Sequence, residues 1–487
     1  MKIIAKSANH RLPGWRNFLD RRATEIEAIG LAVIAAALYL FKLGTGALID
    51  WDEAIYAEVS KEIVTGHHWL TLYWQHQPFF EKPPLSLWIR AALFQWFGVS
   101  EFWARFPSAL AGVGIVLLTF AIARRLCGVG AGLFASFVLL TMNHFDRVMR
   151  EGTTDALLCF CIYLAIYAYI RLREDGAPWF YLFCAAIGVG AMIKGPAIVV
   201  VLPVIGMDWL FLRGKRGVIG RREVCLGALL VTGIVAPWHV WMISEYGGTF
   251  LRDYFGYQLA TRANEAIEGS GGGPLFYAQV IFRGAFPWSV VAVFAALRWA
   301  WRREWEHSLM WAMAGITLAM YSLIPTKHDW YILPVYPALA VEVGHLLEEL
   351  ARSRRVVRYV AVAALAIGIV IAFAKLAKRQ GDPLANQMKE MARIAKASPN
   401  AGPLLVVTKP GLEPEADIPT AIFYSDRRAV SLAEPADDRQ IAGFIEKYHS
   451  IDSVIQKGAD GDLSHRFTIH PLAESDLLIY AQISAAQ

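Results

Sequence analysis

Residues Ala28–Leu48 read AIGLAVIAAALYLFKLGTGAL and contain a single charged side chain, that of Lys42. A helix needs about 20 predominantly apolar residues to cross a bilayer. Runs of this kind recur along most of the 487-residue chain, and clusters of arginine and lysine separate them. Only 18% of the residues are charged and 56% are hydrophobic, whereas soluble domains carry about 25% charged residues. The sequence therefore predicts a polytopic helical membrane protein.

The hydropathy pattern divides the chain into three regions. Residues 1–27 are predicted to form a cytoplasmic N-terminus, residues 28–374 a transmembrane region, and residues 375–487 a soluble domain. The predicted fold is thus mainly α, with about 11 to 13 spans and surface helices, plus a small α/β domain. The eleven spans that we predict are Ala28–Leu48, Phe106–Ala123, Gly128–Met142, Ala156–Ile170, Trp179–Ile193, Pro196–Leu212, Val224–Ile243, Phe286–Trp301, Ser308–Ile324, Trp330–Leu347 and Val356–Ala374.

The basic clusters fall on alternate connections between these spans, which fixes a consistent orientation. Cytoplasmic loops are enriched in arginine and lysine, so these connections are predicted to face the cytoplasm. The intervening loops and the C-terminal domain then face outward. The outward loops are Ile49–Arg105, Asn143–Asp155, Ser244–Ala285 and Pro325–Asp329.

One apolar stretch, Leu85–Phe97, does not fit this alternation as a span. It follows Pro83 and Pro84, contains Arg90, and is short for a hydrocarbon core of about 30 Å. We therefore predict a helix that lies in the outer membrane interface.

Charge and cysteine content exclude several other classes of protein. The net charge of +5 requires no nucleic-acid partner, because much of the arginine and lysine lies in loops between apolar runs. The five cysteines lie in or beside apolar runs and form no spaced pairs, which argues against a disulfide framework or a structural zinc site.

The C-terminal domain is predicted to mix strands with one clear helix. Strands are expected at Leu404–Thr408, Ala421–Tyr424 and Leu477–Ile483, and a helix from Asp437 to Tyr448. The domain contains no recognisable catalytic constellation.

The first outward loop begins with a cluster of carboxylates. Asp50, Asp52 and Glu53 follow the first predicted span directly, and Tyr56 and Glu58 come within the next two turns. A solvated acidic loop would explain these residues without any function. The alternative is an active site at the membrane surface.

A second segment of the same loop favours the active site. In Phe-Phe-Glu81-Lys82-Pro83-Pro84-Leu85, the two prolines fix the backbone φ angle and prevent helix formation before Leu85. Glu81 and Lys82 would thus be held at the membrane surface in a defined direction. Opposite charges on a rigid backbone suit a phosphate group and a hydroxyl-rich sugar.

The other outward loops and span ends contribute further candidates. Asp155 could instead cap a helix, and Lys194 could be a lysine whose stem lies along apolar surface while its charge reaches water. The candidates for substrate contacts, in addition to Asp155, are Arg147, Lys194, Arg262, Lys327, His328 and Tyr331.

Histidines in these loops do not form a recognisable metal site. His67, His68, His76 and His328 match no zinc-ligand spacing. A divalent ion of the magnesium type on the acidic loop remains an open alternative.

Several of these segments together resemble one family of enzymes. The sequence is similar to bacterial 4-amino-4-deoxy-L-arabinose transferases of lipid A, which belong with protein O-mannosyltransferases in the GT-C superfamily of membrane glycosyltransferases. The segments that carry the resemblance occur in the same order over most of the membrane region. They are Asp52-Glu-x-x-Tyr56-Ala-Glu58, Phe-Glu81-Lys82-Pro-Pro-Leu, Thr-Thr-Asp155-Ala-Leu, Lys194-Gly, Phe286-Pro-Trp288 and Tyr331-Ile-Leu-Pro-x-Tyr-Pro-Ala-Leu-Ala.

The resemblance implies roles for individual residues. Asp52 is expected to be the catalytic carboxylate and Asp155 a second active-site acid, and Glu53 is included as a third catalytic candidate. The donor phosphate would be held by Lys82 and Arg262. Tyr56, Lys194 and Tyr331 would lie nearby, and Glu81 would lie at the sugar or at a bound metal ion.

Two departures from the family pattern limit what it implies. No histidine occurs around Tyr257–Arg262, where some relatives have one, which puts metal binding there in doubt. The C-terminal domain is also short for an aminoarabinose transferase, so the acceptor stays open.

The implied reaction is inverting transfer of a sugar from a polyprenyl-phosphate donor, for example undecaprenyl-phosphate aminoarabinose, to lipid A or a related envelope acceptor. It would take place at the periplasmic face of the bacterial inner membrane, with no required cofactor and a divalent metal ion as an option. A protein O-mannosyltransferase or another envelope-glycan transferase is the main alternative. A lipid-linked-sugar transporter would place ionisable residues deep within its spans, and a sensor would not need polar loops on one side.

Overall fold

The computed structural model describes most of the chain. The described residues are 14–49, 51–211, 219–261, 264–265, 271–302, 308–353, 355–400, 402–408, 418–433, 438–459 and 463–485. Predictions for Asp50, Arg262 and Asp437, and for the first half of the N-terminus, lie outside these residues.

Helices make up nearly all of the N-terminal half. Those of the first 211 residues are α1 (Gly14–Leu40), α2 (Asp52–Gly66), α3 (Leu85–Phe97), α4 (Glu101–Cys127), α5 (Val129–Leu140), α6 (Asn143–Met149), α7 (Asp155–Asp175), α8 (Pro178–Lys194) and α9 (Val201–Phe211). A 3-10 turn, Gly195–Val200, joins α8 to α9, and a short hairpin, β1 (Tyr73–Trp74) and β2 (Gln77–Pro78), precedes α3.

The second half continues the bundle and ends in the small domain. Its helices are α10 (Arg221–Phe250), followed by the π-helical segment Leu251–Thr261, α11 (Phe276–Gly284), α12 (Trp288–Arg302), α13 (Ser308–Leu323), α14 (Val335–Ser353), α15 (Arg355–Ala377), α16 (Pro383–Lys396), α17 (Ile418–Ser425) and α18 (Asp438–Tyr448). The strands are β3 (Leu404–Thr408), β4 (Ala429–Ala433), β5 (Ser450–Gln456), β6 (Phe467–Glu474) and β7 (Leu478–Ala485), and 3-10 turns cover Asp329–Ile332 and Leu463–His465.

The polytopic helical architecture is confirmed. Among the described residues, six helices are long and apolar enough to cross a membrane, or seven if the bent pair α11 and α12 forms one span. The shorter apolar helices α5 and α13 lie among them. Each of the eleven predicted spans coincides with a helix or a helix pair.

Some predicted boundaries are wrong. The first helix ends at Leu40 rather than Leu48, because Lys42 and Gly46 take φ angles of 52° and 82° that no helix accommodates. The third predicted loop is largely helical, since α10 runs on to Phe250 and a π-helical segment follows. The short helix before α4 occupies Leu85–Phe97, the stretch that the sequence predicts as an interfacial helix.

At the C-terminal ends of α4 and α7, basic residues pair with acidic side chains of neighbouring helices. Arg124 lies 3.1 Å from Glu27, and Arg173 lies 2.9 Å from Asp208. These ends are opposite to the α7 N-terminus and the α8 C-terminus, where Asp155 and Lys194 lie. The bundle thus has one basic end and one end that carries the candidate site.

The C-terminal domain is a five-stranded mixed sheet with helices on both faces. The strand order is β4-β3-β5-β7-β6, in which β4, β3 and β5 are parallel and β7 runs antiparallel to β5 and β6. Met388 and Met391 of α16 cover one face, and Ile441 and Ile445 of α18 cover the other.

Two predicted strands of this domain are confirmed and one is wrong. Leu404–Thr408 is a strand, and Leu478–Ala485 matches the predicted last strand closely. The predicted strand Ala421–Tyr424 lies instead in α17, whose side chains from Pro419 to Ser425 are all buried. A short segment that is buried on every side shows no periodicity, so the sequence could not separate helix from strand there.

Candidate active site

The N-terminus of α2 presents the first group of candidate residues. Trp51, just before the helix, has a φ angle of 67°, and Asp52 occupies the first helical position. Tyr56 lies one turn later and is fully buried. Its hydroxyl faces Asp52 without the geometry of a full hydrogen bond. Burial raises the pKa of Tyr56 well above its usual range, and the nearby charges of Asp52 and Glu81 raise it further.

A buried ion pair forms the centre of the site. The ammonium group of Lys194 donates hydrogen bonds of 2.6 and 2.7 Å to the two carboxylate oxygens of Asp155. Asp155 begins α7, and Lys194 ends α8, because Gly195 takes a φ angle of 61° and Pro196 follows. The lysine also lies over the ring of Tyr331, 4.9 Å from its centroid. The pair joins the N-terminus of α7 to the C-terminus of α8, two consecutive helices that run antiparallel.

Lys82 and Glu81 border the same region. The side chain of Lys82 is only 7% exposed, its ammonium group lies 4.0 Å from a Glu81 oxygen, and it lies 5.9 Å from the centroid of the Tyr56 ring. Lys82 and Asp52 are both near enough to Asp155 to interact with it electrostatically. The structure therefore brings together seven of the predicted site residues, namely Asp52, Tyr56, Glu81, Lys82, Asp155, Lys194 and Tyr331.

A cavity of about 440 Å³ opens beside these residues. Its polar end is formed by Glu81, Lys82 and Lys194. The remaining wall is mainly apolar and aromatic, and it includes Val199, Val200, Pro203, Met320, Tyr321 and Ile324. This distribution fits an amphipathic molecule with an anionic group at one end and hydrocarbon at the other.

A second cavity of about 780 Å³ lies on the other side of Glu81. It is formed by the hairpin before α3 and the π-helical segment after α10, and it contains Trp74, Arg252 and Tyr257. Arg262, predicted to bind phosphate, follows this segment but lies outside the described residues, so its role remains a prediction.

Glu53 points away from these residues and is enclosed in a buried network. One oxygen accepts hydrogen bonds from Arg105 Nε at 2.8 Å and Gly152 N at 2.7 Å. The other accepts from Arg105 Nη2 at 2.9 Å and Ile49 N at 2.7 Å. Burial opposes ionisation, but Arg105 and these hydrogen bonds lower the pKa of Glu53. The contacts give Glu53 a structural function, and its predicted catalytic role has no geometric support.

The predicted substrate contacts Arg147, Lys327 and His328 have intramolecular partners. Arg147 forms an ion pair with Asp329 and lies 3.5 Å from Glu151. Lys327 donates hydrogen bonds to the carbonyl oxygens of Ser322 and Ile324, at 2.8 and 2.9 Å, and so caps the C-terminus of α13. The ring of His328 stacks on Trp330, with 4.7 Å between centroids.

No group of three or more potential metal-ligating side chains occurs in the part of the chain that the structure describes. Metal binding at Glu81 therefore remains a prediction that rests on the family resemblance alone.

The structural roles of two buried arginines, Arg90 and Arg150, were not predicted from the sequence. Arg90 donates to the carbonyls of Ala104 and Gly152, and Arg150 donates to the carbonyls of Leu38, Tyr39 and Phe41. An arginine inside the apolar stretch Leu85–Phe97 was the one available signal for Arg90. The partners of these arginines are backbone atoms of distant segments, which no local pattern encodes.

Comparisons with known proteins confirm the resemblance that the motifs carry. The family model for dolichyl-phosphate-mannose-protein mannosyltransferases matches residues 81–241. Over 93% of this chain and 97% of the other, the fold is similar to that of ArnT from Cupriavidus metallidurans bound to undecaprenyl phosphate, with a TM-score of 0.77 and 19% identity. The Archaeoglobus fulgidus oligosaccharyltransferase is also similar, with a TM-score of 0.61, 12% identity, and coverage of 95% of this chain and 74% of that chain.

Of two relatives with similar sequences, one is named as an aminoarabinose transferase and the other is uncharacterized. The undecaprenyl phosphate-alpha-4-amino-4-deoxy-L-arabinose arabinosyl transferase of Edwardsiella ictaluri is 27% identical over 336 residues, which are 66% of this chain and 59% of that protein. An uncharacterized protein of Aquifex aeolicus is 28% identical over 312 residues, covering 62% of this chain and 60% of its own length. The chain thus matches about three fifths of the length of these relatives.

Proposed function

We propose that the protein transfers a sugar from a polyprenyl-phosphate donor, of the undecaprenyl-phosphate aminoarabinose type, to lipid A or a related envelope acceptor. The observation that carries the proposal is the 440 Å³ cavity with Lys82 and Lys194 at its polar end and hydrocarbon side chains along its wall. The names of the similar proteins, which include undecaprenyl phosphate and aminoarabinose, support the same donor.

The two lysines are suited to the leaving phosphate. Charge-assisted hydrogen bonds in a site shielded from water are stronger than those between neutral groups. Lys194 is oriented by both oxygens of Asp155, so its ammonium group is fixed before the donor binds. Arg262, if it reaches the cavity as the family resemblance implies, would add a third positive charge.

The transfer step breaks the bond between the anomeric carbon and the phosphate oxygen. The acceptor oxygen attacks the anomeric carbon from the opposite face, which inverts its configuration, and the electron pair of the broken bond leaves with the polyprenyl phosphate. For a hydroxyl acceptor, Asp52 takes the proton. A lipid A phosphate is already anionic and needs no strong base, so Asp52 would then position groups and balance the positive charges.

A second acceptor class has one observation in its favour. Residues 81–241 match the mannosyltransferase family model, and these residues include Lys82, Asp155 and Lys194. Transfer of a mannose-type sugar to a protein hydroxyl would use the same donor cavity, with Asp52 as the base. For either acceptor, we propose that the site faces the periplasm of a bacterial inner membrane, since the basic helix ends would then be cytoplasmic.

The experiment is mass spectrometry of lipid A from cells that make lipid-linked aminoarabinose but lack their own transferase. We expect the wild-type chain to add the mass of an aminopentose and Asp52→Asn to abolish the addition. The matched control is Asp476→Asn, an exposed aspartate of the C-terminal domain, which should retain the addition.

Membrane abundance and the donor pool are measured in the same cells. A wild-type chain that is abundant and supplied with donor but leaves lipid A unmodified would rule out the aminoarabinose transfer. Purified protein would then be tested with polyprenyl-phosphate mannose and a protein acceptor.

A further inference from the structure

The segment between α1 and α2, of which the structure describes residues 41–49 and Trp51, forms hydrogen bonds with the C-terminal domain. Ala47 N donates a hydrogen bond of 2.7 Å to Asn386 Oδ1 of α16. Leu48 N donates a bond of 3.0 Å to the Tyr424 hydroxyl of α17, and the Thr420 hydroxyl donates a bond of 3.2 Å to Leu48 O. Side chains of the small domain thus satisfy both backbone groups of Leu48, which is fully buried.

The Tyr424 hydroxyl is the central group of this contact. It accepts from Leu48 N and donates to Glu101 Oε1 at 2.9 Å, at the start of α4. Lys389 of α16 lies 2.5 Å from the same glutamate oxygen. One hydroxyl therefore links the C-terminal domain both to the segment before α2 and to the bundle.

The body of α2 rests on the same domain. Lys61 donates a hydrogen bond of 2.9 Å to the carbonyl oxygen of Phe423, and it lies 2.6 Å from Asp426 and 2.5 Å from Glu58. Apolar residues of α2, of the segment before it, of α3 and α4, and of the C-terminal domain share one core, formed by Ala47, Leu48, Ala54, Ala57, Phe94, Ala104, Ala385, Ala392, Phe423 and Tyr424. The helix that carries Asp52 is therefore held at its start and along its length.

The backbone between these anchors is in an unusual conformation. Trp51 has a φ angle of 67°, which is uncommon for a bulky residue and persists only where the surroundings hold it. Asp52 is the next residue, so the direction of its carboxylate depends on this conformation. Leu48 is three residues before Trp51 and is the nearest point that the C-terminal domain bonds directly.

We propose that the C-terminal domain is a positioning element for Asp52, and that Tyr424 is its principal positioning residue. This inference rests on the proposed function only in so far as Asp52 acts in the reaction. Tyr424 touches no substrate in this role; it acts by fixing the backbone that orients Asp52.

The structural half of the inference is tested without any substrate. Amide hydrogen exchange of the full-length protein in detergent is compared for wild type, Tyr424→Phe and Tyr448→Phe. Tyr448, on the opposite side of the sheet in α18, is the matched control. We expect the Leu48 amide to exchange roughly threefold to tenfold faster in Tyr424→Phe than in the control, because one buried hydrogen bond is lost. Equal exchange in the two variants would overturn the inference, whatever the reaction is.

The catalytic half is tested by steady-state kinetics with purified polyprenyl-phosphate sugar. We expect Tyr424→Phe to lower kcat about tenfold to a hundredfold, as a small misplacement of a reacting group does, while KM for the donor stays within twofold. Combining Tyr424→Phe with Asp52→Asn should produce no further loss beyond that of Asp52→Asn.

A full additional loss in the double variant would show that Tyr424 acts independently of Asp52, and it would overturn the inference. If the wild type transfers no sugar at all, the proposed function fails, and the exchange experiment still decides whether the domain holds the segment.

Discussion

Replacing Glu53 with glutamine removes one negative charge from a fully enclosed network while keeping the size of the side chain. Four donors converge on the two carboxylate oxygens: two from Arg105, and the backbone N–H groups of Ile49 and Gly152. Glutamine offers a single carbonyl oxygen, and its amide group would face two of these donors. Arg105, whose side chain is 4% exposed, would lose its counter-charge.

The expected loss of stability is large for one isosteric change. Removing one partner of a buried ion pair costs about 3–5 kcal/mol, because the other charge stays buried without compensation. Domains of roughly 150–250 residues lose about 2–4 °C per kcal/mol, and at the lower figure the midpoint of thermal unfolding should fall by roughly 6–10 °C.

The difference in stability between wild type and Glu53→Gln should depend on pH, and the pKa of Glu53 determines the direction of that dependence. The pKa of Glu53 is lower in the folded protein than in the unfolded chain. Its contribution to stability is therefore present above the usual carboxyl pKa of about 4.3 and is lost as the pH falls through the folded value. The difference in thermal midpoint between wild type and Glu53→Gln should be constant from neutral pH to about pH 5 and should become smaller at lower pH.

Tryptophan fluorescence during heating in detergent measures the midpoint, since the chain has 17 tryptophans. Glu390→Gln, an exposed position of α16, serves as the control and should leave the midpoint unchanged. A Glu53→Gln midpoint within about 1 °C of wild type would refute the structural reasoning. If transfer were nevertheless abolished, Glu53 would be a catalytic group, as its place in the acidic cluster first suggested.

Two further predictions concern α2 and α13. Burial raises the pKa of Glu58 to about 7, although Lys61 lies 2.5 Å away. The stability that the protonated carboxyl contributes is full below the unfolded-state pKa of about 4.3 and is lost as the pH rises to about 7, the folded-state value. Thermal midpoints of wild type should therefore fall between about pH 4.5 and pH 7 and then level off, and those of Glu58→Gln should change less. Lys327→Met removes the ammonium group that donates hydrogen bonds to the last carbonyls of α13. The thermal midpoint should fall by a few degrees, with less than about a twofold change in the binding of the polyprenyl-phosphate sugar. A large loss of affinity for this sugar substrate at an unchanged midpoint would instead assign Lys327 to the phosphate.

Local signals in the sequence were sufficient for most elements of the fold. The helix Leu85–Phe97 lies between two prolines and a glycine, and those residues determine both of its ends. The strand Leu404–Thr408 is a short run of apolar and β-branched residues, and it is observed with the same bounds. In both cases the physical cause acts within a few residues of the element itself.

The contacts that assemble the site could not be predicted in this way. Asp155 and Lys194 are 39 positions apart, and Glu53 and Arg105 are 52 apart. The sequence placed Glu53 beside Asp52 and so suggested a shared chemical role. Adjacent residues on a helix point about 100° apart, however, and only the packed structure shows that the Asp52 carboxylate lies near Tyr56 and Asp155 while the Glu53 carboxylate faces the buried Arg105.

The backbones of residues 46 and 381 pass so close that a Cβ atom built on Gly46 would lie 2.7 Å from the Cα atom of Gly381. Neither position can gain a side chain without separating the two regions, and both glycines have φ angles of 82°. The small domain is therefore not an interchangeable module. A hybrid enzyme that joins this membrane region to the C-terminal domain of a relative should inherit the segment around Gly46 from the same parent as that domain, because the two surfaces match only as a pair.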